Sequence, residues 1–288
     1  MREFSIVGVG RLGTALAAAL VRRGWKLRLV VDQDARAARE GRRVIGSGRT
    51  AAAIGRAARP GDVVIIAVPD AAVGRVAASL AASGPSWEGK TVLHTSGILP
   101  AGALRPLRER GARIASVHPV QSIPRKDAPA SAFRGIVWGI EGDEPALGTA
   151  QAIVRSLGGH VLRLSEKHKP LYHAACALAS NALVALTGAS FDILAAAGID
   201  EKTAAAALLP LMQGTLQNVK DLGPQEALTG PVSRGDEATV KKHLEALGGD
   251  PGALAVYRAL GKQALRLAAR RGLSAARVRT LRRLLEDR

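Results

Sequence analysis

Apolar and polar positions fall into two regimes along this 288-residue chain. Up to about residue 165, short β-rich apolar runs alternate with stretches rich in Ala and Leu. The runs are EFSIVGVG (3–10), KLRLVVD (26–32), DVVIIAVPD (62–70), TVLHTSG (91–97), RIASVHPVQSI (113–123), GIVWGIEGD (135–143) and HVLRLS (160–165). The run at 62–70 is continuously apolar, as expected of a strand covered on both faces of a parallel sheet. Between the first two runs, RLGTALAAALVRRG (11–24) reads as a helix closing at Gly24. The alternation predicts an α/β fold with a mostly parallel sheet between helices. After Ser165 it stops. Residues 166–197, 200–220, 236–247, 251–271 and 274–287 carry helical spacing. LTGPVSRGD (228–236) reads as a loop or tight turn, and Asp236 as the N-cap of the helix after it. Two domains follow, 1–165 and an all-helical 166–288, in keeping with the chain length.

The first strand–helix unit contains GVGRLG, with Gly8, Gly10 and Gly13. A GxGxxG alone is weak in a chain with 32 glycines. Here a strand precedes it, a helix follows, and Asp32 ends the next strand. In that context Gly8 permits the tight turn, Gly10 lets the backbone approach a pyrophosphate, and Gly13 lets helix and strand pack closely. The helix N-terminus offers free N–H groups to phosphate. The first domain is therefore expected to be a Rossmann-type dinucleotide domain. Its cofactor residues are expected to be Gly8, Gly10, Arg11, Leu12 and Gly13, Asp32, Val68 and Pro69, and Thr95 and Ser96. Asp32 can accept hydrogen bonds from a ribose and would repel a 2′-phosphate, which favours NAD over NADP. Arg36, Arg39, Arg42 and Arg43 follow and offset that preference only if they leave the solvated face of their helix. Asp70 is expected to cap the helix beginning near Ala71. His94 and His118 both end strands on the carboxyl edge, where ligands sit in such folds.

Charge adds one constraint. With 41 Lys+Arg against 24 Asp+Glu, the formal charge is +17. Aromatics make up only 3%, too few for a base-stacking surface, and neither zinc-ligand spacing nor an RNA-binding signature occurs. The positive field suits anionic cofactors and substrates better than specific nucleic-acid binding. The single cysteine, Cys176, excludes an internal disulfide and fits a reducing compartment. No uninterrupted apolar run approaches a membrane span and no signal peptide precedes the first strand, so a cytoplasmic protein without membrane contact is expected.

The first helix after the alternation is KPLYHAACALASN (169–181). Lys169, His173 and Ser180 fall on one face by their spacing, with Asn181 nearby and Tyr172 and Cys176 on an adjacent face. Polar groups at a domain junction are candidates for a cleft. Cys176 is expected in the core.

The succession GVGRLG, AVPD, HTSG, SVHPVQS, IEGD, YHAACALASN, Asn218 and LTGPVSRGD resembles a Rossmann-like oxidoreductase family whose helical C-terminal domain has no assigned function. The similarity runs over nearly the whole chain. It implies an NAD- or NADP-binding domain, a helical second domain, and homodimers formed through those helices. More distantly the architecture is similar to ketopantoate reductases, pyrroline-5-carboxylate reductases, β-hydroxyacid dehydrogenases and prephenate dehydrogenases. The β-hydroxyacid dehydrogenases open their helical domain with a Lys and an Asn four residues apart. Here His173 stands four residues after Lys169, and the nearest Asn is 181. The second strand ends Asp-Gln-Asp where family members commonly carry Ser-Arg-Ser. The expected activity is hydride transfer to or from a carbonyl or imine carbon of a small, carboxylate-bearing metabolite. His173 is expected to act as general acid/base, with Lys169 as the alternative donor or carbonyl polariser and His118 near the reacting centre. Ser96, Asn181, Asn218 and Thr229 would position the substrate, and Arg234 would hold its carboxylate. A dinucleotide-binding protein without turnover is the alternative.

Overall fold

A computed structural model describes residues 2–56 and 58–286. It divides into two compact units, residues 1–180 and 181–288.

The first unit is built on an eight-stranded sheet: β1 (Glu3–Val7), β2 (Lys26–Val31), β3 (Arg49–Ala51), β4 (Val63–Ile66), β5 (Thr91–His94), β6 (Arg113–Pro119), β7 (Val137–Gly142) and β8 (His160–Arg163). Their order across the sheet is β3-β2-β1-β4-β5-β6-β7-β8. Every neighbouring pair is parallel except β6 and β7, which run antiparallel with His118 opposite Gly139. The helices are α1 (Arg11–Arg22), α2 (Ala35–Ile45), α3 (Asp70–Ser83), a one-turn α4 (Arg105–Arg108), α5 (Glu144–Leu157) and α6 (Lys169–Ala179).

Alternation explains why β4 reads as a continuous apolar run. Val63 and Ile65 join one core, with Phe4, Ile6, Leu16, Leu20, Leu93, Trp138 and Ile153. Val64 and Ile66 face the opposite core, with Val73, Ala77, Trp87, Val92 and Ile114. A strand of period two between two cores has no face left for polar residues. At the N-terminus of α2 the Asp34 carboxylate accepts from the Arg36 N–H. Asp70 differs from expectation. It is the first residue of α3 rather than its cap, and Pro69 holds the cap position without a side-chain bond. Pro69 carries no hydroxyl or carboxylate to cap with, and Asp70 still opposes the positive end of the helix dipole.

The second unit consists of α7 (Asn181–Ala196), α8 (Glu201–Glu226), α9 (Pro231–Arg234), α10 (Glu237–Ala246), α11 (Pro251–Arg270) and α12 (Ala275–Leu285). Val232, Val240, Leu265, Leu281 and Leu285 form its core. Asp236 caps α10 by accepting from the Thr239 N–H. The 228–236 stretch is a loop closed by the single turn α9. Helix α8 is bent at Gly223, where φ is +78° and ψ 162°.

One sequence expectation needs correction. Glu166–Ala196 contains an 18-residue window that passes a membrane span's test of length and composition, with mean hydropathy 1.5 and none of the window itself buried. The run was hidden because its apolarity comes from alanines interspersed with polar residues. The backbone departs from ideal helix at Ser180 (φ −119°, ψ −70°), which divides the stretch into α6 and α7. Neither segment reaches the roughly 20 residues a spanning helix needs.

Candidate functional site

The glycine-rich turn between β1 and α1 opens onto a cavity of about 400 Å³, lined among others by Gly8, Gly10, Asp32, Gln33, Ile54, Val68, Pro69 and Ser79. Gly8 sits at φ +91°, and a Cβ there would lie 2.6 Å from the Ala67 carbonyl oxygen. At Gly13 a Cβ would stand 2.1 Å from the Gly8 oxygen. Only glycine fits either place. Gly10 is different: a Cβ there would meet nothing within 4 Å, and no side chain caps α1. The open space is in front of the first helical N–H groups, where a phosphate would sit. Asp32 accepts from the Val9 N–H at 3.1 Å and from the Asp34 N–H at 3.0 Å, so its carboxylate is fixed at the rim. These residues fit a dinucleotide. Arg11, Leu12, Gly13, Thr95 and Ser96, also expected to bind it, do not line this cavity. The wall from Ala52 to Ile54 and the α3 residues Ala72, Val76 and Ser79 line it instead. Apolar apart from Ser79, they carry no chemical signature that sequence reasoning could have used.

On the adjoining strands of the same carboxyl edge, β5, β6 and α6 bring a second group of residues together. His94 is fully buried and both its ring nitrogens serve its own loop. Nε2 is 3.0 Å from the Pro100 carbonyl, and Nδ1 accepts from the Ser96 N–H at 3.2 Å. Burial first of all holds its pKa down to about 4, so it is a neutral structural tie. Ser96 is likewise spent internally: its hydroxyl accepts from the Leu99 N–H, and its carbonyl accepts from the Ser116 hydroxyl. Lys169 is 0% exposed, with Nζ 2.6 Å from Ser116 Oγ and 3.4 Å from the Ser96 carbonyl. Burial lowers its pKa to about 8, opposed by the charges of Glu141 and Asp70. Glu141, whose own pKa burial raises, accepts from the Ala101 N–H.

Beside this buried layer stand His118, Tyr172 and His173. His118 Nδ1 lies 2.8 Å from the Tyr172 hydroxyl. The His118 ring meets the Tyr172 and His173 rings edge-on, with centroids 5.7 and 5.8 Å apart. Gly97 makes room for the two imidazoles: a Cβ there would stand 2.4 Å from His173 Cδ2 and 2.9 Å from His118 Nε2. Burial, aided by the positive charges of His173 and Lys169, lowers the His118 pKa to about 4. The structure therefore joins His118, His173, Lys169 and Ser96 of the expected residues. It adds Tyr172, Gly97 and Ser116. Cys176, expected in the core, is only half-buried and lies beside the phenol. The other expected residues belong to the second unit. Asn181, Asn218, Thr229 and Arg234 are all exposed, and the Arg234 carbonyl accepts from Arg277. Thr229 lines a cavity of about 340 Å³ with Tyr257 and His243.

Two family models match the chain. Residues 2–119 match the model of a Rossmann-like domain, and residues 136–264 that of a domain of unknown function (DUF2520). The chain joins a Rossmann-like domain to that C-terminal domain, the pairing its motifs resemble. No protein among those with curated functions matches it. A solved protein from Thermotoga maritima is similar over 93% of this chain and 99% of its own, at 28% identity and a TM-score of 0.72. A candidate NADP oxidoreductase from Bacteroides fragilis is similar at 22% identity and a TM-score of 0.76, covering 92% and 98% of the two chains. An imine reductase from Myxococcus stipitatus, solved with NADP+, shares 19% identity over 99% and 100%, with a TM-score of 0.61. The last two likenesses are of fold.

Proposed function

We propose that the protein is an NAD(P)-dependent oxidoreductase moving hydride to or from a carbonyl or imine carbon of a small, carboxylate-bearing metabolite. The observation that carries this reading is the shared edge of one sheet. A dinucleotide-sized cavity opens at the ends of β1 and β4, and a His118–Tyr172–His173 cluster stands at the ends of β5 and β6. Bound nicotinamide supplies the hydride chemistry; the protein supplies orientation and proton management. His173, half-buried next to His118, exchanges the proton with the substrate heteroatom. Lys169 is spent on Ser116 and supports the layer beneath. The +17 charge favours an anionic substrate. The NADP+ in the imine reductase relative supports a nicotinamide cofactor. Asp32 at the cavity rim favours NAD here.

A homodimer through the second unit belongs to the same reading. Val184, Leu211, Leu216 and Leu222 on α7 and α8 are between 54% and 72% exposed, large apolar side chains that a partner subunit would cover. The decisive experiment is titration with NADH and NADPH, followed by turnover of keto acids and cyclic imines. Binding of neither by the folded protein ends the oxidoreductase reading. Near wild-type turnover by His173→Asn, with cofactor still bound, removes His173 from the chemistry.

A further inference from the structure

We propose that Tyr172 is a positioning residue for His118: its phenol donates to Nδ1 and so fixes the neutral imidazole with its proton on Nε2. His118 then presents a standing N–H donor beside His173, and the two histidines divide the work. His118 donates a hydrogen bond, and His173 carries the mobile proton.

Four features of the site lead there. The Nδ1–hydroxyl distance of 2.8 Å is that of a well-formed hydrogen bond. A neutral phenol has one proton to give, and the Tyr172 hydroxyl has its hydrogen bond to His118 Nδ1. Cys176 is the competing acceptor beside it, and sulfur accepts more weakly than an imidazole nitrogen. Lastly, the sheet is shaped to admit the phenol. Gly139 lies inside β7 directly opposite His118, and a Cβ there would stand 2.7 Å from the Tyr172 oxygen. A glycine inside a strand weakens it and marks a close approach; here what approaches is the ring that holds His118. Burial raises the Tyr172 pKa and lowers that of His118, so both partners are neutral and the bond carries a proton in one direction. On the far side of the imidazole, Nε2 lies over Gly97, on the loop leaving β5.

This inference takes its catalytic meaning from the oxidoreductase reading, but its test needs neither cofactor nor substrate. The protein, labelled with 15N on its six histidines, is examined by NMR for the tautomer of each ring. His118 is assigned by the signal lost in His118→Asn. The expected wild-type result is a single His118 tautomer with the proton on Nε2, and Tyr172→Phe is expected to abolish that single state in favour of a mixture. A proton on Nδ1 in the wild type, or an unchanged tautomer in Tyr172→Phe, overturns the proposal. Should Tyr172→Phe not fold, 3-fluorotyrosine replaces both tyrosines, Tyr172 and Tyr257. Its more acidic phenol must shift the His118 Nδ1 resonance, and an unmoved resonance overturns the proposal equally. Failure to bind NADH and NADPH would defeat the oxidoreductase reading separately, with the tautomer result unaffected.

Discussion

Lys169→Met tests the buried layer beneath the site. Methionine nearly matches the lysine stem in volume and removes only the charge and its hydrogen bonds. In the fold the amine titrates near 8, against an ordinary value of 10.5. A gap of about 2.5 corresponds to roughly 3 kcal/mol by which the folded state disfavours the charged form. The sign follows from proton counting. Below pH 8 both folded and unfolded chains hold the proton, and folding bears the whole penalty. Between 8 and 10.5 the unfolded chain holds it and the folded one does not, so stability rises with pH. Above 10.5 neither holds it, and the penalty is gone. From pH 7 to pH 10 the wild type should therefore gain about 2.5 kcal/mol relative to Lys169→Met. At pH 7 the variant should differ little in absolute stability. Relief of the penalty offsets loss of the bonds to Ser116 and Ser96, about 1.5–3 kcal/mol for a charged donor. The assay is urea unfolding of both proteins at pH 7, 8, 9 and 10, read as a difference curve. His94 and His118 titrate near 4 and stay neutral over this range. A difference curve flat to within about 0.5 kcal/mol would refute the reasoning, since it would mean that the amine is hydrated or never loses its proton.

Three further outcomes are expected. Gly10→Ala should keep its stability, because a Cβ there meets nothing, yet lose at least about tenfold in dinucleotide affinity, roughly 1.4 kcal/mol. Gly13→Ala, driven against the Gly8 carbonyl, should instead lose roughly 2–3 kcal/mol, read as a melting temperature about 5–10 °C lower. Equal thermal losses for the two would sink the distinction between a ligand-facing and a packing glycine. Asp32→Asn should move the NADPH/NADH affinity ratio towards NADPH by roughly tenfold, as measured by fluorescence titration; an unmoved ratio removes Asp32 as the discriminator. Lys169→Met and Tyr172→Phe together should depart from the sum of their separate effects by more than about 0.5 kcal/mol, and simple additivity would show that the two contacts act independently.

What the sequence made legible was local. The GVGRLG turn, the apolar β4 and the Asp236 cap each depend on residues a few positions apart, and periodicity captures such patterns. Strand β3 escaped because three residues, two of them polar, form a strand only when β2 offers an edge to pair with. Lys169 read as an alternative proton donor because nothing near it in sequence could satisfy an amine. Its partner Ser116 is 53 residues away. The same distance effect hid Tyr172, whose hydroxyl meets a histidine 54 positions earlier. His94 erred the other way: a polar residue at a strand end looked available, and the loop immediately after it consumed both ring nitrogens.

These long-range contacts share a register. Ser116 and His118 are two apart on β6 and so point to the same side of the sheet. Lys169 and Tyr172 are three apart on α6 and so share a helix face. The pairs Lys169–Ser116 and Tyr172–His118 are thus two rungs between one strand and one helix. The lower rung is buried and sets how far along the sheet edge α6 sits. The upper rung then has no freedom in where it places the phenol, and His173, one residue further on, is carried to the other side of His118. A lysine costly to bury is tolerable in such a place because it fixes the geometry of the imidazoles above it. On the proposed reading the polar residues of KPLYH are therefore not parallel candidates for one role: one anchors the helix, one would orient a histidine, and one would exchange protons.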